Sequence, residues 1–210
     1  MMSLELNRRV ESQIAKPYPT RADLEKHCHR AREAGYRAIL IPTSLAEAAY
    51  ALLDGTNVKL SCLVGFPFGS ADADVKRFET EAAADFGAHE IELVPTISRL
   101  ADGDYKFVLR EIRDVVDAAD ERPVKIVIES HLWNENELAN IVQMALDSGA
   151  QFLSTSIALQ GRHASPAAIK NLVQLAGPDF GLKVGGFKAL EGAEEVVAGG
   201  GSRIGLAELR

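Results

Sequence analysis

The stretch Gly181-Leu182-Lys183-Val184-Gly185-Gly186 sets a lysine into a short apolar run that ends on two glycines. Burial disfavours an ammonium and pulls its pKa down, which is how an amine becomes a nucleophile near neutral pH. A glycine pair after a strand leaves backbone N–H groups bare for a phosphate or another anion. Polar residues recur at period two in three more apolar runs. They are Glu90 and Glu92 in Glu90-Ile91-Glu92-Leu93-Val94, Lys125 and Glu129 in Lys125-Ile126-Val127-Ile128-Glu129, and Ser154 and Ser156 in Phe152-Leu153-Ser154-Thr155-Ser156. Alternate residues of a strand share a face, so a sheet closed into a barrel would collect these carboxylates, amines and hydroxyls in its interior. That set suits proton transfer around a carbonyl. The same charges can instead neutralise one another as barrel filling, Glu92 with Lys125 or Lys183.

Other candidates carry less. His131 lies just past a strand end and reads as a solvent-facing loop residue. His27, Cys28 and His29 fall on a helix, where residues one and two apart point to different sides, which argues against a metal. Asp72 and Asp74 read as a helix cap, and Gly199-Gly200-Gly201 as a turn into the last strand.

Positioning such side chains requires parallel strands, and the chain alternates short aliphatic runs with longer helical periods, the mark of βα units. Strands are predicted at Ala38–Ile41, Val58–Val64, Glu90–Val94, Val124–Glu129, Gln151–Ile157, Gly181–Val184 and Arg203–Leu206, with an eighth near Val10–Ile14. Helices are predicted near Arg21–Ala34, Leu45–Leu53, Asp74–Phe86, Asp104–Asp120, Glu135–Ser148, Ser165–Leu175 and Leu190–Ala198. Asp104, Asn134 and Ser165-Pro166 supply start signals. Eight such strands predict a (β/α)8 TIM barrel spanning residues 1–210 as one domain, with working residues at the C-terminal strand ends. An open doubly wound sheet is the alternative, but no glycine-rich dinucleotide fingerprint follows the first strand. The few residues after Gly205 leave only a truncated last helix, so either the barrel wall is thin there or another subunit of a homo-oligomer covers the last strand.

The hydrophobic fraction of 47% and charged fraction of 25% are ordinary for a globular chain. No apolar run approaches the ~18 residues of a membrane span. Met1 to Val10 lacks a signal-peptide core, and two cysteines form neither a disulfide framework nor a metal spacing, so the expected location is cytoplasmic. A net charge of −7 without a dense Lys/Arg block argues against nucleic acid, while leaving room for anionic metabolites.

In sequence order, Lys16-Pro17, Val64-Gly65-Phe66-Pro67 with Gly69, Gly87-Ala88, the run 90–94, Gly103-Asp104-Tyr105, the run 125–129, Gly149-Ala150-Gln151-Phe152, Gly181-Leu182-Lys183 and Arg203-Ile204-Gly205 resemble the landmarks of the deoxyribose-phosphate aldolase family. The likeness covers nearly the whole chain. It implies a barrel and, in typical members, a class I aldolase that joins acetaldehyde to glyceraldehyde 3-phosphate through a lysine imine. Residue by residue, Lys183 matches the family's second active-site lysine, and Glu92 matches its proton-shuttling aspartate, one methylene longer. The imine lysine itself, in a family strand reading Phe-Ile/Val-Lys-Thr-Ser-Thr-Gly, falls on Ser154 of Phe152-Leu153-Ser154-Thr155-Ser156-Ile157-Ala158. The phosphate positions are changed as well, to Ile157-Ala158 and Leu206-Ala207-Glu208.

A serine cannot form an imine. The reading is therefore a carbon–carbon lyase acting on a small carbonyl or sugar phosphate, with Lys183 as the key amine, Glu92 as acid/base and Lys125 tuning Lys183 by like-charge repulsion. Ser154, Thr155 and Ser156 would bind substrate hydroxyls or a relay water, with Glu129, Gly185, Gly186 and Gly205 completing the substrate site. In an imine-free alternative Lys183 and Lys125 donate to an enolate-like oxygen while Glu92 or Glu129 acts as base, giving isomerase or cyclase chemistry. A catalytically silent barrel binding a small ligand or a partner protein is the third. No metal and no organic cofactor are expected.

Overall fold

The eight predicted strands close on themselves. The computed structural model describes residues 4–14, 16, 18–156 and 163–208. Its strands are β1 (Val10–Ile14), β2 (Ala38–Pro42), β3 (Lys59–Val64), β4 (Glu90–Leu93), β5 (Val124–Val127), β6 (Phe152–Ser154), β7 (Gly181–Phe187) and β8 (Arg203–Glu208). They form a closed barrel in sequence order, every neighbouring pair parallel, with β8 returning to β1. A short α1 (Leu4–Asn7) precedes β1. The outer layer is α2 (Arg21–Ala34), α3 (Ala46–Leu53), α4 (Ala73–Asp85), α5 (Ile97–Ala101), α6 (Tyr105–Ala118), α7 (Glu135–Ser148), α8 (Pro166–Ala176) and α9 (Ala193–Ala198). Among the described residues no helix follows β8, and none is long and apolar enough to cross a membrane.

Local chemistry explains where helices start. Thr20 accepts from the Asp23 backbone N–H, and the Asp23 carboxylate accepts in return from the Thr20 N–H, a capping box that opens α2. Asn134 and Glu137 do the same for α7, and Ser165 caps α8 with Pro166 in its first turn. Asp72 accepts from the Asp74 N–H at the start of α4, as the sequence predicts.

Period two sorts the strand residues. Ile39, Ile41, Leu60, Cys62, Ile91, Leu93, Ile126, Leu182 and Ile204 face outward and join helix residues such as Leu24, Ala49, Ile112, Ile141 and Leu172 in the main core. Burying one such side chain stabilises by about 1.5–3 kcal/mol. Inward-facing Leu40, Leu63, Val94 and Val127 form a second apolar cluster with Phe66 and Ile97. The rest of the interior is charged. Outside the barrel, the fully buried Lys76 of α4 donates to Glu111 of α6 at 2.7 Å, to Thr96 at 2.9 Å and to the Gly69 carbonyl at 2.8 Å, tying two loops at the C-terminal face together.

Three strands end earlier than predicted, β4 by a single residue at Leu93. β5 stops at Val127 because Glu129 turns into the left-handed region at φ 44° and starts a single 3₁₀ turn, Ser130–Leu132. β6 is confined to Phe152–Ser154, and Ile157 and Ala158 lie outside the described residues, as do Pro17 and the side chain of Glu208.

Candidate active site

Register places the interior charges before any side chain is considered. Glu92 of β4 pairs with Lys125 of β5, and Ser154 of β6 pairs with Lys183 of β7, so each pair sits side by side on the inner face. Across the barrel Lys183 Nζ donates to Glu92 Oε2 at 2.5 Å, while Ser154 Oγ donates to Glu92 Oε1 at 2.9 Å. One carboxylate thus receives the amine on one oxygen and the hydroxyl on the other. Glu92 and Ser154 are fully buried and Lys183 is 2% exposed.

Glu11 of β1, which the sequence pattern does not single out, joins this group. Its Oε2 lies 3.1 Å from Lys183 Nζ and accepts from Lys125 Nζ at 2.9 Å. Lys125 also donates to Glu90 Oε2 at 2.7 Å and to Ser61 Oγ at 3.0 Å, and Glu92 Oε2 stands 3.9 Å away. Beneath these, Arg37 donates to Glu90 Oε1 at 2.9 Å, and Arg203 brings its Nε to 3.3 Å from Glu11 Oε1. That last contact lacks hydrogen-bond geometry on both sides, so it is a charge contact only. The two ammonium groups of Lys125 and Lys183, which the sequence reading sets against each other by like charge, share Glu11 Oε2 between them.

The remaining predicted residues divide. Thr155 Oγ1 accepts from the Gly185 N–H at 3.2 Å, so the N–H expected to be bare for an anion is already engaged. Gly185 is small for packing, because a Cβ there would meet the Ser156 carbonyl oxygen at 1.9 Å. Gly205 is small for the same reason, a Cβ lying 2.9 Å from Gly185 Cα and 3.0 Å from Lys183 Cε. Gly186 sits at φ 93° where the β7–β8 register shifts. Glu129 lies 3.6 Å from His131 at the end of β5 and does not join the Glu92–Lys183 group. His27 is buried against Ser12 while His29 points outward to Glu33, so the two histidines do not converge.

Charge explains the titration of the cluster. Burial pushes the Glu11 carboxyl up, but the charges of Lys125 and Lys183 outweigh it and hold the group at about 2. Glu90 is lowered by the same contest, burial against Lys125. Lys125 is raised, because Glu11, Glu90 and Glu92 overcome the desolvation that would lower it. A carboxylate depressed in the folded state stabilises above its unfolded value of 4.5 and loses that contribution as pH falls toward its folded value. Urea midpoints are therefore expected to drop steadily from about pH 4.5 to about pH 2, and a flat profile over that window would contradict this charge assignment.

No family model matches the chain. It is 38% identical over 203 residues to the deoxyribose-phosphate aldolase of Clostridium perfringens (strain SM101 / Type A), covering 96% of this chain and 91% of that one. It is 34% identical over 207 residues to the deoxyribose-phosphate aldolase of Geobacillus sp. (strain WCH70), covering 97% and 92%. Among solved structures it resembles a tetrameric deoxyribose phosphate aldolase from Aeropyrum pernix with a TM-score of 0.88 at 28% identity, covering 98% of this chain and 88% of that one. An aldolase named QR15 matches at a TM-score of 0.91 and 24% identity, over 97% and 92%, a likeness of fold alone.

Proposed function

The chain belongs to the deoxyribose-phosphate aldolase family, and from that premise we propose that it is an aldolase-type carbon–carbon lyase whose reacting amine is Lys183. The observation that carries the reading is the Lys183–Glu92–Ser154 group, in which the amine has a proton acceptor at 2.5 Å and position 154 offers only a hydroxyl. Its substrate would be a small carbonyl compound or sugar phosphate, of the kind in the curated relatives' names.

In this scheme Lys183 Nζ passes a proton to Glu92 Oε2, and its lone pair adds to the substrate carbonyl carbon. The carbonyl oxygen takes a proton and leaves as water, giving a protonated imine. The carbon–carbon bond one position away then breaks, its electrons moving toward the imine nitrogen as an enamine, and the neighbouring hydroxyl loses its proton to Glu92. Protonation of the enamine carbon and hydrolysis of the imine release the second product and restore Lys183. Ser154 Oγ keeps Glu92 oriented throughout. Lys125, neutralised by Glu11 and Glu90, holds Glu11 beside the amine.

Borohydride reduction in the presence of deoxyribose phosphate or a small aldehyde is expected to add a stable mass to the peptide carrying Lys183. An adduct on another lysine would overturn the assignment. No adduct with any carbonyl would leave the imine-free reading, which the serine at position 154 favours. The Aeropyrum pernix structure is described as tetrameric, and we extend a homo-oligomeric state to this chain, which light scattering on the eluted protein would read.

A further inference from the structure

The N-terminal face of the barrel holds a cleft of about 610 Å3 that the aldolase chemistry does not use. Its walls come from Tyr36 and Arg37 ahead of β2, from Asn57 to Lys59 at the start of β3, and from Arg8 and Arg32 beside them. Working groups of such barrels sit at the opposite, C-terminal face. Four cations, Arg8, Arg32, Arg37 and Lys59, line the cleft, and among the described residues none of those lining it is Asp or Glu. In a chain of net charge −7 this is a local reversal of sign.

The cations have little to neutralise them. Arg8, Arg32 and Lys59 make no salt bridge with the described residues. Arg37 spends its Nη2 on Glu90, but its Nε is buried without a hydrogen-bond partner. A neighbouring cleft serves as contrast, for there Arg8, which lines both, and Arg9 and Arg203 share the walls with two carboxylates, Glu5 and Glu194. Guanidinium groups match phosphate oxygens two at a time, and a volume of this size holds a small metabolite.

We propose that this cleft is a binding site for a phosphate-bearing small molecule, distinct from the buried amine cluster. Arg37 connects the two regions, since the guanidinium lining the cleft also anchors Glu90, which in turn holds Lys125. For that reason the test leaves Arg37 intact and changes the exposed Arg32 and Lys59.

Inorganic pyrophosphate serves as the probe, followed by titration calorimetry at fixed ionic strength. Saturable binding is expected, weakened about tenfold by Arg32→Gln and further by Arg32→Gln with Lys59→Gln. Lys183→Ala and Arg9→Gln should leave the affinity within about twofold of the parent, as neither touches the cleft. Three results would overturn the proposal: no saturable heat, loss of binding in Lys183→Ala, or equal weakening by every cation removed. The second would place the anion at the amine cluster, and the third would mean diffuse charge attraction.

Discussion

Lys183→Ala is expected to lower kcat by about 10⁴-fold and to erase the borohydride-trapped mass, whereas Ser154→Ala should cost about 10- to 100-fold. The difference follows from what each side chain can do. In the proposed scheme Lys183 supplies the lone pair to the carbonyl carbon, and without it neither imine nor enamine would form. Ser154 contributes one hydrogen bond to a charged acceptor, Glu92 Oε1, at 2.9 Å, so its loss loosens the base without removing it. The comparison needs matched stability, because Lys183→Ala also takes a cation away from Glu11 and Glu92. Measuring kcat well below each variant's unfolding midpoint meets that need. If Ser154→Ala proved as damaging as Lys183→Ala, the hydroxyl would be handling substrate directly, and the assignment of the amine as sole nucleophile would fail.

The barrel was legible because its signal is redundant. Eight aliphatic runs, the helical periods between them, and caps such as Asn134 and Ser165 all require the same βα succession. The amine–carboxylate group was legible for a narrower reason. Lys183, Lys125 and Glu92 interrupt otherwise apolar strands at period two, which only an inward face tolerates. Glu11 escaped because Val10-Glu11-Ser12-Gln13-Ile14 is too polar to show alternation, although all five residues are buried. The same rule would have found it, since Ser12 turns outward to His27 and leaves Glu11 and Gln13 on the other face. Arg37 and Arg203 stand at the first turn into their strands, where polar residues are ordinary and carry no signal. What spacing could not supply was mutual orientation. That Gly185 gives its N–H to Thr155, or that Glu11 comes between Lys125 and Lys183, depends on side-chain directions across strands far apart in sequence.

Lys125→Met is expected to destabilise the fold by about 3–5 kcal/mol, which for a chain of this size is roughly 10 °C in Tm. Lys125 is fully buried and donates to Glu11, Glu90 and Ser61, so methionine fills the volume but abandons carboxylates that water cannot reach. Among the described residues Glu90 keeps its ion pair with Arg37, and Glu11 keeps Lys183 and Arg203. The loss is large against a total stability of about 5–15 kcal/mol. Its origin can be separated from simple misfit by adding Glu90→Gln, which removes one of the abandoned charges. The double variant should recover a substantial part of the lost Tm, and both variants should lose less stability than the parent on acidification, because a carboxylate deprived of Lys125 no longer has its pKa held as low. Differential scanning calorimetry at stepped pH reads both effects. A Lys125→Met protein as stable as the parent yet inactive would mean that this lysine serves the chemistry and not the architecture. A destabilised one rescued by Glu90→Gln would mean that the fold itself depends on neutralising the carboxylates that surround the reactive amine.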